Sequence, residues 1–376
     1  MKKILITIGA FYPGYKIGGP ATTISNIIKN FSSTGDYSFY IICRNHDWGD
    51  KELYKNIKFN TWLNRDNYKI MYVEDNKYNG RIFKTLGESF DIVYCTGIFS
   101  KVTLSAARYY KKDKRTKVIV APMGSLFPNA LSIKKIKKHL FLSAIKMAHR
   151  FDNVHWSVSS ELEQKSVTDI FGAKSKCVIA EDLIDFSDAK LIEKKEKNNY
   201  LKIAFVSRIH PMKGLDRCFE ILKLVSCNVH FDIYGIIEDE EYFSHCEKEF
   251  ECIKNKHLIS YKGPYHSSDI TSILSFYDAF LFPTLSENFG HVIFESLKSS
   301  CIPIISNTTP WNDIKDFGAG YVFELNDYKS FASAIDYLHA LSLKEINKIK
   351  KNCYLYAYKK HKENIEKSGY WELFEK

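Results

Sequence analysis

Two cationic side chains flank one turn in the second half of the chain. An apolar strand pattern ends at Ser207, Arg208 follows it, and Lys213 and Gly214 open the next helical pattern. A strand end beside a helix amino terminus offers unpaired backbone N–H groups, and two fixed cations next to them suit a diphosphate. Solvated loop charges would give the same pattern, so both interpretations stay open for this segment taken alone.

Two acidic side chains stand eight residues apart in a later segment. Glu287 precedes a helical pattern and Glu295 lies within it. At the rise of an α-helix, the two are at most about 12 Å apart along one line. That distance is close to the span between the sugar hydroxyls and the ribose of a nucleotide sugar.

The residues directly after Glu287 offer backbone groups to a ligand. Asn288, Phe289 and Gly290 place amides at the helix start, and Gly290 allows a ligand to approach the main chain. The structural alternative is a helix capped by Ser286 with Glu287 in its first turn. Spacing does not decide between the two.

Short apolar strands alternate with helical stretches, a pattern typical of parallel sheets covered on both faces. The predicted strands are 3–9, 38–43, 69–73, 91–95, 117–121, 154–158, 177–180, 202–207, 230–234, 257–262, 279–282 and 302–306. The predicted helices are 19–33, 80–88, 100–111, 133–149, 213–226, 240–252, 267–276 and 290–299. The sequence therefore predicts an α/β fold with two doubly wound, Rossmann-like domains.

A polar stretch at 193–199 indicates a linker between the two alternating regions. We expect an N-terminal domain over 1–192 and a C-terminal domain over 200–354. The last stretch, 343–376, is predicted to be helical, with about 355–376 packing back on the first domain. Because doubly wound sheets bind ligands at their strand carboxyl ends, we expect the site in a cleft between the domains.

Composition and charge limit the function classes. The 376 residues carry a net charge of +10, which divides into +13 for residues 1–199 and −3 for residues 200–376. A basic first half suggests an anionic partner such as a lipid headgroup, a membrane surface or nucleic acid, but the chain has no nucleic-acid recognition motif. Nine scattered cysteines without a CxxC pair argue against a zinc site and for a reducing compartment.

No apolar run is long enough to span a membrane, and the first apolar stretch fits a buried strand better than a signal peptide. We therefore expect a cytoplasmic protein, either free or at the inner face of the cytoplasmic membrane. Helix 133–149 combines apolar positions with basic residues that include Lys134 and Lys137. Such a helix can lie on an anionic bilayer or can be an ordinary domain helix with a solvated face, and both interpretations stay open.

Taken together, the two chemical segments resemble family 4 of the glycosyltransferases, which has the GT-B fold. Glu287 and Glu295 match the family's E-x7-E motif, and Arg208 and Lys213 match the pair that holds the donor diphosphate. The run from Ser286 to Glu295 and the later Thr-Pro-Trp at 309–311 are similar to the exopolysaccharide and capsule branch of that family. Over the first 200 residues the resemblance rests on three shorter matches: Gly18-Gly19-Pro20, the segment 122–126 and His155-Trp156-Ser157.

The resemblance implies a role for each matched residue. Arg208, Lys213 and Glu287 would be the catalytic group, Glu295 would bind the ribose, and Glu287 with the amides of Asn288–Gly290 would hold the sugar hydroxyls. Gly19 would face the phosphates from the opposite domain. The remaining donor-binding residues would be Gly18, Ser207, Tyr234, Gly235, Lys262, Gly263 and His291, and the acceptor side would include Gly124, Ser125, Lys134 and Lys137.

Such enzymes retain the anomeric configuration without a metal ion, and the absence of a DxD motif agrees with that. The resemblance thus implies no metal and no cofactor other than a nucleotide sugar as co-substrate, with a UDP-sugar favoured and a GDP-sugar open. The implied acceptor is a glycan or a polyprenyl-diphosphate-linked glycan. The histidine that many relatives carry near the fourth strand is absent from 121–126, so we assign no catalytic base and expect the proton to leave through the departing phosphate.

Two other functions are alternatives to sugar transfer for a chain with this pattern. An NAD-dependent enzyme needs G-x-G-x-x-G after a strand, and no glycines in the chain have that spacing. A GT-B protein without turnover, which binds nucleotide sugars or docks on membranes, stays open as the alternative. The transferred sugar, the donor base and the accepting hydroxyl are not predicted.

Overall fold

The computed structural model describes residues 1–113 and 115–375, which form two compact units. Unit 1 consists of Met1–Leu183 together with the chain from Asn364 onwards, and unit 2 consists of Ile184–Glu363. Lys114 and Lys376, which fall within the predicted domains, lie outside the described residues.

Unit 1 is built on an eight-stranded sheet in the order β3-β4-β2-β1-β5-β6-β7-β8. Its strands pair in parallel except β3, which pairs antiparallel with β4. The strands are β1 (Lys2–Thr7), β2 (Tyr37–Arg44), β3 (Leu63–Asn64), β4 (Tyr68–Val73), β5 (Ile92–Thr96), β6 (Lys117–Ala121), β7 (His155–Val158) and β8 (Lys176–Ile179). The helices are α1 (Gly19–Ser32), α2 (Lys101–Tyr109), α3 (Pro128–Ser132), α4 (Lys135–Met147), α5 (Glu161–Phe171) and, near the end of the chain, α12 (Tyr370–Glu375).

The central strand of unit 1 is apolar on both faces because helices cover both sides of the sheet. Ile4 and Ile6 belong to one buried cluster together with Ile24 of α1, whereas Leu5 belongs to a second cluster with Val102 of α2. Successive residues of a strand point to opposite faces, so this continuous apolar run joins two cores.

Unit 2 is built on a six-stranded parallel sheet in the order β11-β10-β9-β12-β13-β14. The strands are β9 (Leu201–Val206), β10 (Val229–Tyr234), β11 (Leu258–Gly263), β12 (Ala279–Phe282), β13 (Ile302–Ser306) and β14 (Tyr321–Phe323). The helices are α6 (Leu215–Leu224), α7 (Glu240–Ile253), α8 (Ile270–Ser275), α9 (His291–Lys298), α10 (Tyr328–Ala340) and α11 (Leu343–Glu366), whose last residues, from Asn364, belong to unit 1.

The strand order of unit 2 reverses at one place. The chain leaves β9 towards β10 and β11 on one side and returns on the other side with β12, so β9 and β12 are neighbours. Their connections leave in opposite directions and open a crevice at the carboxyl ends of the strands, which is where ligands bind in sheets of this kind. The turns after β9 and β12 contain the two chemical segments of the sequence.

One helix prediction was wrong in extent. The stretch 80–88 forms only a short 3-10 turn at Ile82–Lys84. The predicted helix 133–149 is α4, which begins directly after Lys134, a residue with a left-handed φ of 56°. Helices α3, α5 and α10 and the strands β3 and β14 were not predicted.

The stretch predicted as a linker is attached to unit 2. Backbone N–H of Ile192 donates to Ser300 Oγ at 3.2 Å, and Lys194 Nζ forms an ion pair with Asp278 at 2.7 Å in which both side chains are nearly buried. These contacts hold residues 184–199 against the second sheet. The boundary between the units therefore lies at Leu183 instead of within the predicted linker.

The end of the chain returns to unit 1 later than expected. Tyr356 and Ala357, within the predicted returning segment, are buried in the core of unit 2. The residues from Asn364 onwards belong to unit 1, where Phe374 packs edge-on against Phe31 at 5.3 Å between ring centroids. No helix among the described residues is long and apolar enough to cross a membrane.

Gly214 provides a test of the turn between β9 and α6. It has a φ of +74°, and a Cβ added there would lie 2.2 Å from the carbonyl oxygen of Pro283 in the turn after β12. Gly263 is the matched control, since it has a φ of +84° but no atom within 4 Å of such a Cβ.

We expect Gly263→Ala to lower the free energy of unfolding of unit 2 by about 1 kcal/mol, the cost of a left-handed alanine. Gly214→Ala should cost ~2 kcal/mol more, because the added methyl group forces the two turns apart. Hydrogen exchange of the β9 and β12 amides reports unit 2 by itself. Equal effects of the two substitutions would show that the turns are not packed as described.

Candidate active site

The turns after β9 and β12 meet in one buried ion pair. Lys213 Nζ lies 2.6 Å from Glu287 Oε1, and the two side chains are 16% and 11% exposed. Lys213 Nζ also lies 5.9 Å from the centre of the Phe282 ring at the end of β12. Lys213 is therefore not a solvated loop charge. The structure brings together two residues that are 74 positions apart and were selected from the sequence for different chemical reasons.

Thr284, which was not predicted from the sequence, contacts both of the turns that form this pair. Thr284 Oγ1 lies 3.0 Å from the carbonyl oxygen of Met212 and 3.2 Å from Glu287 Oε1. Backbone N–H of Leu285 donates to the same carbonyl of Met212 at 2.9 Å. The two turns are thus tied by backbone and side-chain hydrogen bonds, and the ion pair is held in place before any ligand arrives.

Arg208 lies at the same edge of the sheet in a more open position. Its Nη1 donates to Glu238 Oε2 at 2.6 Å, and the two side chains are 46% and 40% exposed. Burial raises the pKa of the Tyr265 hydroxyl to about 12, with the charge of Glu295 adding to the rise and that of Arg208 opposing it. Arg208 and Glu295 thus act electrostatically on one hydroxyl group.

The helix after Glu287 begins later than it would if Ser286 were its N-cap. α9 starts at His291, and its N-cap is Gly290 with a φ of 82° and no side-chain cap. The interpretation in which Ser286 caps the helix is therefore wrong. Asn288, Phe289 and Gly290 form a loop that leads into the first turn of α9.

Packing fixes this loop from behind. The indole N–H of Trp311 donates to the carbonyl oxygen of Phe289 at 2.5 Å, and Trp311 is buried. The Phe289 ring lies 4.8 Å from the ring of His291. The conformation that presents Glu287 and the helix start is therefore supported by the core of unit 2.

Glu295 lies within a buried charge network on the second turn of α9. It forms an ion pair with Lys298 at 2.9 Å and accepts a hydrogen bond from Thr271 Oγ1 at 3.1 Å, while Lys298 also pairs with Asp188 at 2.6 Å. Burial raises the pKa of Glu295, and the charge of Lys298 limits that rise. Burial lowers the pKa of Lys298, but Glu295 and Asp188 outweigh this effect, so it lies above its usual value. The sequence analysis missed Lys298.

Two of the predicted donor-binding residues, Tyr234 and Lys262, lie at the ends of the neighbouring strands β10 and β11. The hydroxyl groups of Tyr234 and Tyr277 are 2.9 Å apart, and Tyr277 donates to Asp232 Oδ2 at 2.7 Å. Lys262 Nζ lies 3.3 Å from Asp232 Oδ1. Burial, together with the hydrogen bonds to Tyr234 and Asp232, raises the pKa of Tyr277. Lys262 therefore contacts the Asp232 carboxylate directly, and Tyr234 is linked to it through the Tyr277 hydroxyl.

Backbone groups pack closely around Gly235, the first of the two glycines in this group. Backbone N–H of Ser207 donates to the carbonyl oxygen of Tyr234 at 3.0 Å, and N–H of Gly235 donates to that of Gly263 at 3.0 Å. A Cβ at Gly235 would lie 1.7 Å from the Ser207 carbonyl oxygen, so this position accepts only glycine. Gly263 faces open space.

Unit 1 presents its own predicted residues at the start of α1 and after β6. Gly18 is the N-cap of α1 with a φ of 65°, and a Cβ at Gly18 or Gly19 would meet no atom within 4 Å. Backbone N–H of Gly124 donates to Glu163 Oε1 at 2.5 Å, and Ser125 Oγ donates to the Pro122 carbonyl oxygen at 2.6 Å. Glu163, which the sequence analysis missed, fixes the loop that follows β6.

Lys134 and Lys137, predicted on the acceptor side, are exposed at the start of α4 and on it. Among residues 1–113 and 115–375, no group of three or more His, Cys, Asp or Glu side chains is placed to hold a metal ion.

The part of the chain that holds the Lys213–Glu287 pair also matches a known family. Residues 187–360 match the family described as Glycosyl transferases group 1. The match covers somewhat less than half of the chain. The resemblance drawn from the two chemical segments is thus confirmed.

A capsule glycosyltransferase is among the proteins to which the chain is similar. The chain is 27% identical over 190 residues to the capsular polysaccharide biosynthesis glycosyltransferase CapM of Staphylococcus aureus, and the match spans about half (49%) of each protein. The structure of Anabaena Alr3699/HepE in complex with UDP and glucose has a TM-score of 0.71 at 14% identity, with 96% of this chain and 95% of that chain covered. Trehalose-6-phosphate synthase OtsA has a TM-score of 0.69 at 11% identity, with 97% of each chain covered. These structures confirm the predicted GT-B fold.

The Lys213–Glu287 and Arg208–Glu238 ion pairs differ in burial, and this gives a stability prediction. Lys213→Ala should lower the free energy of unfolding of unit 2 by about 3 kcal/mol or more, because Glu287 is left buried and unpaired. Arg208→Ala should change it by at most about 1 kcal/mol, because its pair with Glu238 is half-exposed.

Hydrogen exchange of the β9 and β12 amides measures both variants, and Glu287→Gln in the Lys213→Ala background is the control. If the loss comes from an uncompensated charge, the control should recover part of it. A small effect of Lys213→Ala would indicate that water reaches Glu287 freely.

Proposed function

We propose that the protein is a retaining, metal-independent glycosyltransferase that moves a sugar from a nucleotide-diphosphate donor to a glycan or lipid-linked glycan. The observation that carries the proposal is the Lys213–Glu287 pair at the point where the strand order of a group 1 domain reverses. The capsule relative supports a role in surface polysaccharide synthesis. The HepE complex with UDP and glucose supports a UDP-sugar as donor, with a GDP-sugar as the second choice.

Lys213 would stabilise the departing diphosphate. Its ammonium group has three N–H donors, one of which points to Glu287 Oε1, so others can reach a phosphate oxygen. The side chain is mostly buried, and a fixed charge in such surroundings acts more strongly than one in water. Arg208 at the same sheet edge would add a second positive charge, for which the donor would compete with Glu238.

Glu287 and Glu295 would hold the two sugar rings of the donor. Oε1 of Glu287 is the atom next to Lys213 and Thr284, so we assign Oε2 to a hydroxyl of the transferred sugar. Lys298 favours the ionised form of Glu295, which can accept hydrogen bonds from both ribose hydroxyls. The loop 288–290 and the start of α9 would contribute backbone N–H groups.

The reaction would exchange two bonds on one face of the sugar. The bond from the anomeric carbon to the phosphate oxygen breaks, and a bond to the acceptor hydroxyl oxygen forms. The acceptor proton passes to the departing phosphate, whose charge is stabilised by Arg208 and Lys213. Gly124 and Ser125 of unit 1 are proposed to contact the acceptor. The proposal uses no metal ion or other cofactor.

Removal of Arg208 tests the assignment of the diphosphate site without the buried-charge penalty expected for Lys213. We expect Arg208→Ala to lower turnover by ~100-fold, as for the loss of one preorganised charge stabiliser. The assay follows nucleotide release from a panel of UDP- and GDP-sugars with glycan acceptors. Arg115→Ala, which removes an arginine that is 93% exposed in unit 1, is the control and should leave turnover unchanged.

Three results of this assay would contradict parts of the proposal. Full activity of Arg208→Ala would place the diphosphate elsewhere. Binding of nucleotide sugars without release from any donor would favour the inactive binding protein. An inverted anomeric proton coupling in the product, measured by NMR, would exclude retention.

A lipid-linked acceptor would bring the protein to the inner face of the cytoplasmic membrane, and α4 is the proposed contact. Ile136, Leu140 and Met147 are 77%, 66% and 77% exposed. They lie within about 40° of one another around the helix axis, on the side opposite the buried Leu142 and Ile145. These apolar side chains are thus left largely uncovered by the described residues.

The charge around this stripe favours an anionic bilayer as its partner. Lysines at 135, 137, 138 and 146 accompany the stripe, and no acidic residue occurs between Asp113 and Asp152. Apolar side chains flanked by lysines are typical of helices that lie in a membrane interface. We therefore propose attachment through the exposed stripe and electrostatic attraction through the lysines.

The double variant Ile136→Ser with Leu140→Ser tests this contact. We expect it to weaken binding to vesicles of phosphatidylglycerol and phosphatidylcholine by about tenfold or more, because two side chains no longer enter the bilayer. Leu162→Ser is the matched control, since Leu162 of α5 is 72% exposed but lies outside the stripe. Vesicle binding should also fall as salt is raised.

Equal binding of the double variant and the control would contradict the contact. A self-association in solution that the double variant abolishes, without vesicle binding by the wild type, would assign the stripe to a second copy of the chain.

A further inference from the structure

An exposed tryptophan lies at the carboxyl edge of the unit 1 sheet. Trp48 follows β2 and is 52% exposed. Its ring packs over Gly9, which follows β1, so closely that a Cβ at Gly9 would lie 2.8 Å from Cζ3 of the indole. The strands before these residues are neighbours in the sheet, so the ring lies at the edge where parallel sheets bind ligands.

A buried aspartate fixes the position of this ring. Asp47 is almost fully buried, and its Oδ1 accepts a hydrogen bond from backbone N–H of Trp48 at 2.7 Å. Its Oδ2 accepts from backbone N–H of Tyr15 at 2.8 Å and of Lys16 at 3.1 Å. The loops after β1 and β2 are thus tied together through one carboxylate.

A second contact closes the same pair of loops at the surface. Lys16 Nζ forms an ion pair with Asp50 Oδ1 at 2.6 Å. Both side chains are only partly exposed and supply a cation and a carboxylate in the same two loops as the ring. The indole is therefore held by the fold and has hydrogen-bonding groups beside it, although much of its apolar surface is open to water.

We infer that Trp48 is the platform on which a sugar ring of the acceptor stacks. One face of a pyranose carries mainly C–H groups, which are apolar and are attracted to the electron-rich face of an indole. Lys16 and Asp50 can bond the hydroxyl groups at the rim of the same ring. This inference rests on the proposed function and places the acceptor glycan, as distinct from the donor, on unit 1.

Fluorescence measures sugar binding without turnover. The structure describes all five tryptophans of the chain, and the other four are buried or half-buried, so Trp48 dominates the emission that acrylamide can quench. We expect hexoses, N-acetylhexosamines or short oligosaccharides to protect this emission from quenching. Uridine is the comparison ligand, because protection by uridine alone would assign the ring to a nucleobase and overturn the inference. Failure of the whole glycan panel to protect it would also overturn it.

Kinetics separate stacking from a general structural role. Trp48→Ala should raise the acceptor KM about tenfold, with kcat and the donor KM unchanged. Trp48→Phe, which keeps an aromatic face, should recover most of the loss. Tyr109→Ala is the matched control, since Tyr109 of α2 is 44% exposed in the same unit, and it should change neither constant.

The results also distinguish this inference from the proposed function. An unchanged acceptor KM in Trp48→Ala would overturn the platform and leave sugar transfer intact. Glycan protection of Trp48 in a protein that releases no nucleotide would support the platform and contradict the proposed transfer.

Discussion

The ion pair between Lys213 and Glu287 exists because two strands distant in sequence are neighbours in the sheet. β9 and β12 end side by side, and the turns after them are joined through Thr284 and the carbonyl oxygen of Met212. Gly214 allows the closest approach of these turns, since any side chain there would meet the Pro283 carbonyl. The chemistry of the site thus depends on sheet topology first and on side-chain identity second.

Charges in this part of unit 2 are compensated by protein partners. Glu287 pairs with Lys213, Glu295 with Lys298, Lys298 with Asp188, and Asp232 with Lys262. Burial of a single unpaired charge is costly, so pairing allows polar groups to stand in an enclosed site without a ligand. A phosphorylated ligand would therefore enter a set of charges that is already oriented. This is the arrangement in which electrostatic stabilisation requires the least reorganisation.

Sequence patterns located the sheet and the chemical segments well, because both depend on local features. Strand-helix alternation and the E-x7-E spacing can be read along the chain, and each predicted strand falls within a few residues of an observed one. Contacts between distant residues could not be read in this way. Thr284, Lys298 and Glu163 became visible only once the fold placed them beside Glu287, Glu295 and Gly124.

Some errors had a signal in the sequence and others did not. Helix α5 begins with Ser160, whose hydroxyl accepts from backbone N–H of Glu163, and this spacing is a known helix-start pattern that was overlooked. The left-handed conformation of Lys134, which separates α3 from α4, had no such signal. The attachment of the supposed linker to unit 2 depends on the Lys194–Asp278 pair, which joins residues 84 positions apart.

Net charge and local charge point to different parts of the chain. The first 199 residues carry +13 and the remainder −3, yet the cations assigned to the diphosphate, Arg208 and Lys213, lie in the acidic part. Binding at a local site depends on a few oriented charged groups at short range. Net charge instead attracts or repels a partner over distances near the Debye length. The excess of lysine in the first half is therefore better matched to a broad anionic surface than to a single phosphate. The exposed apolar stripe of α4 among its lysines fits that assignment, because a bilayer offers both an anionic surface and an apolar interior.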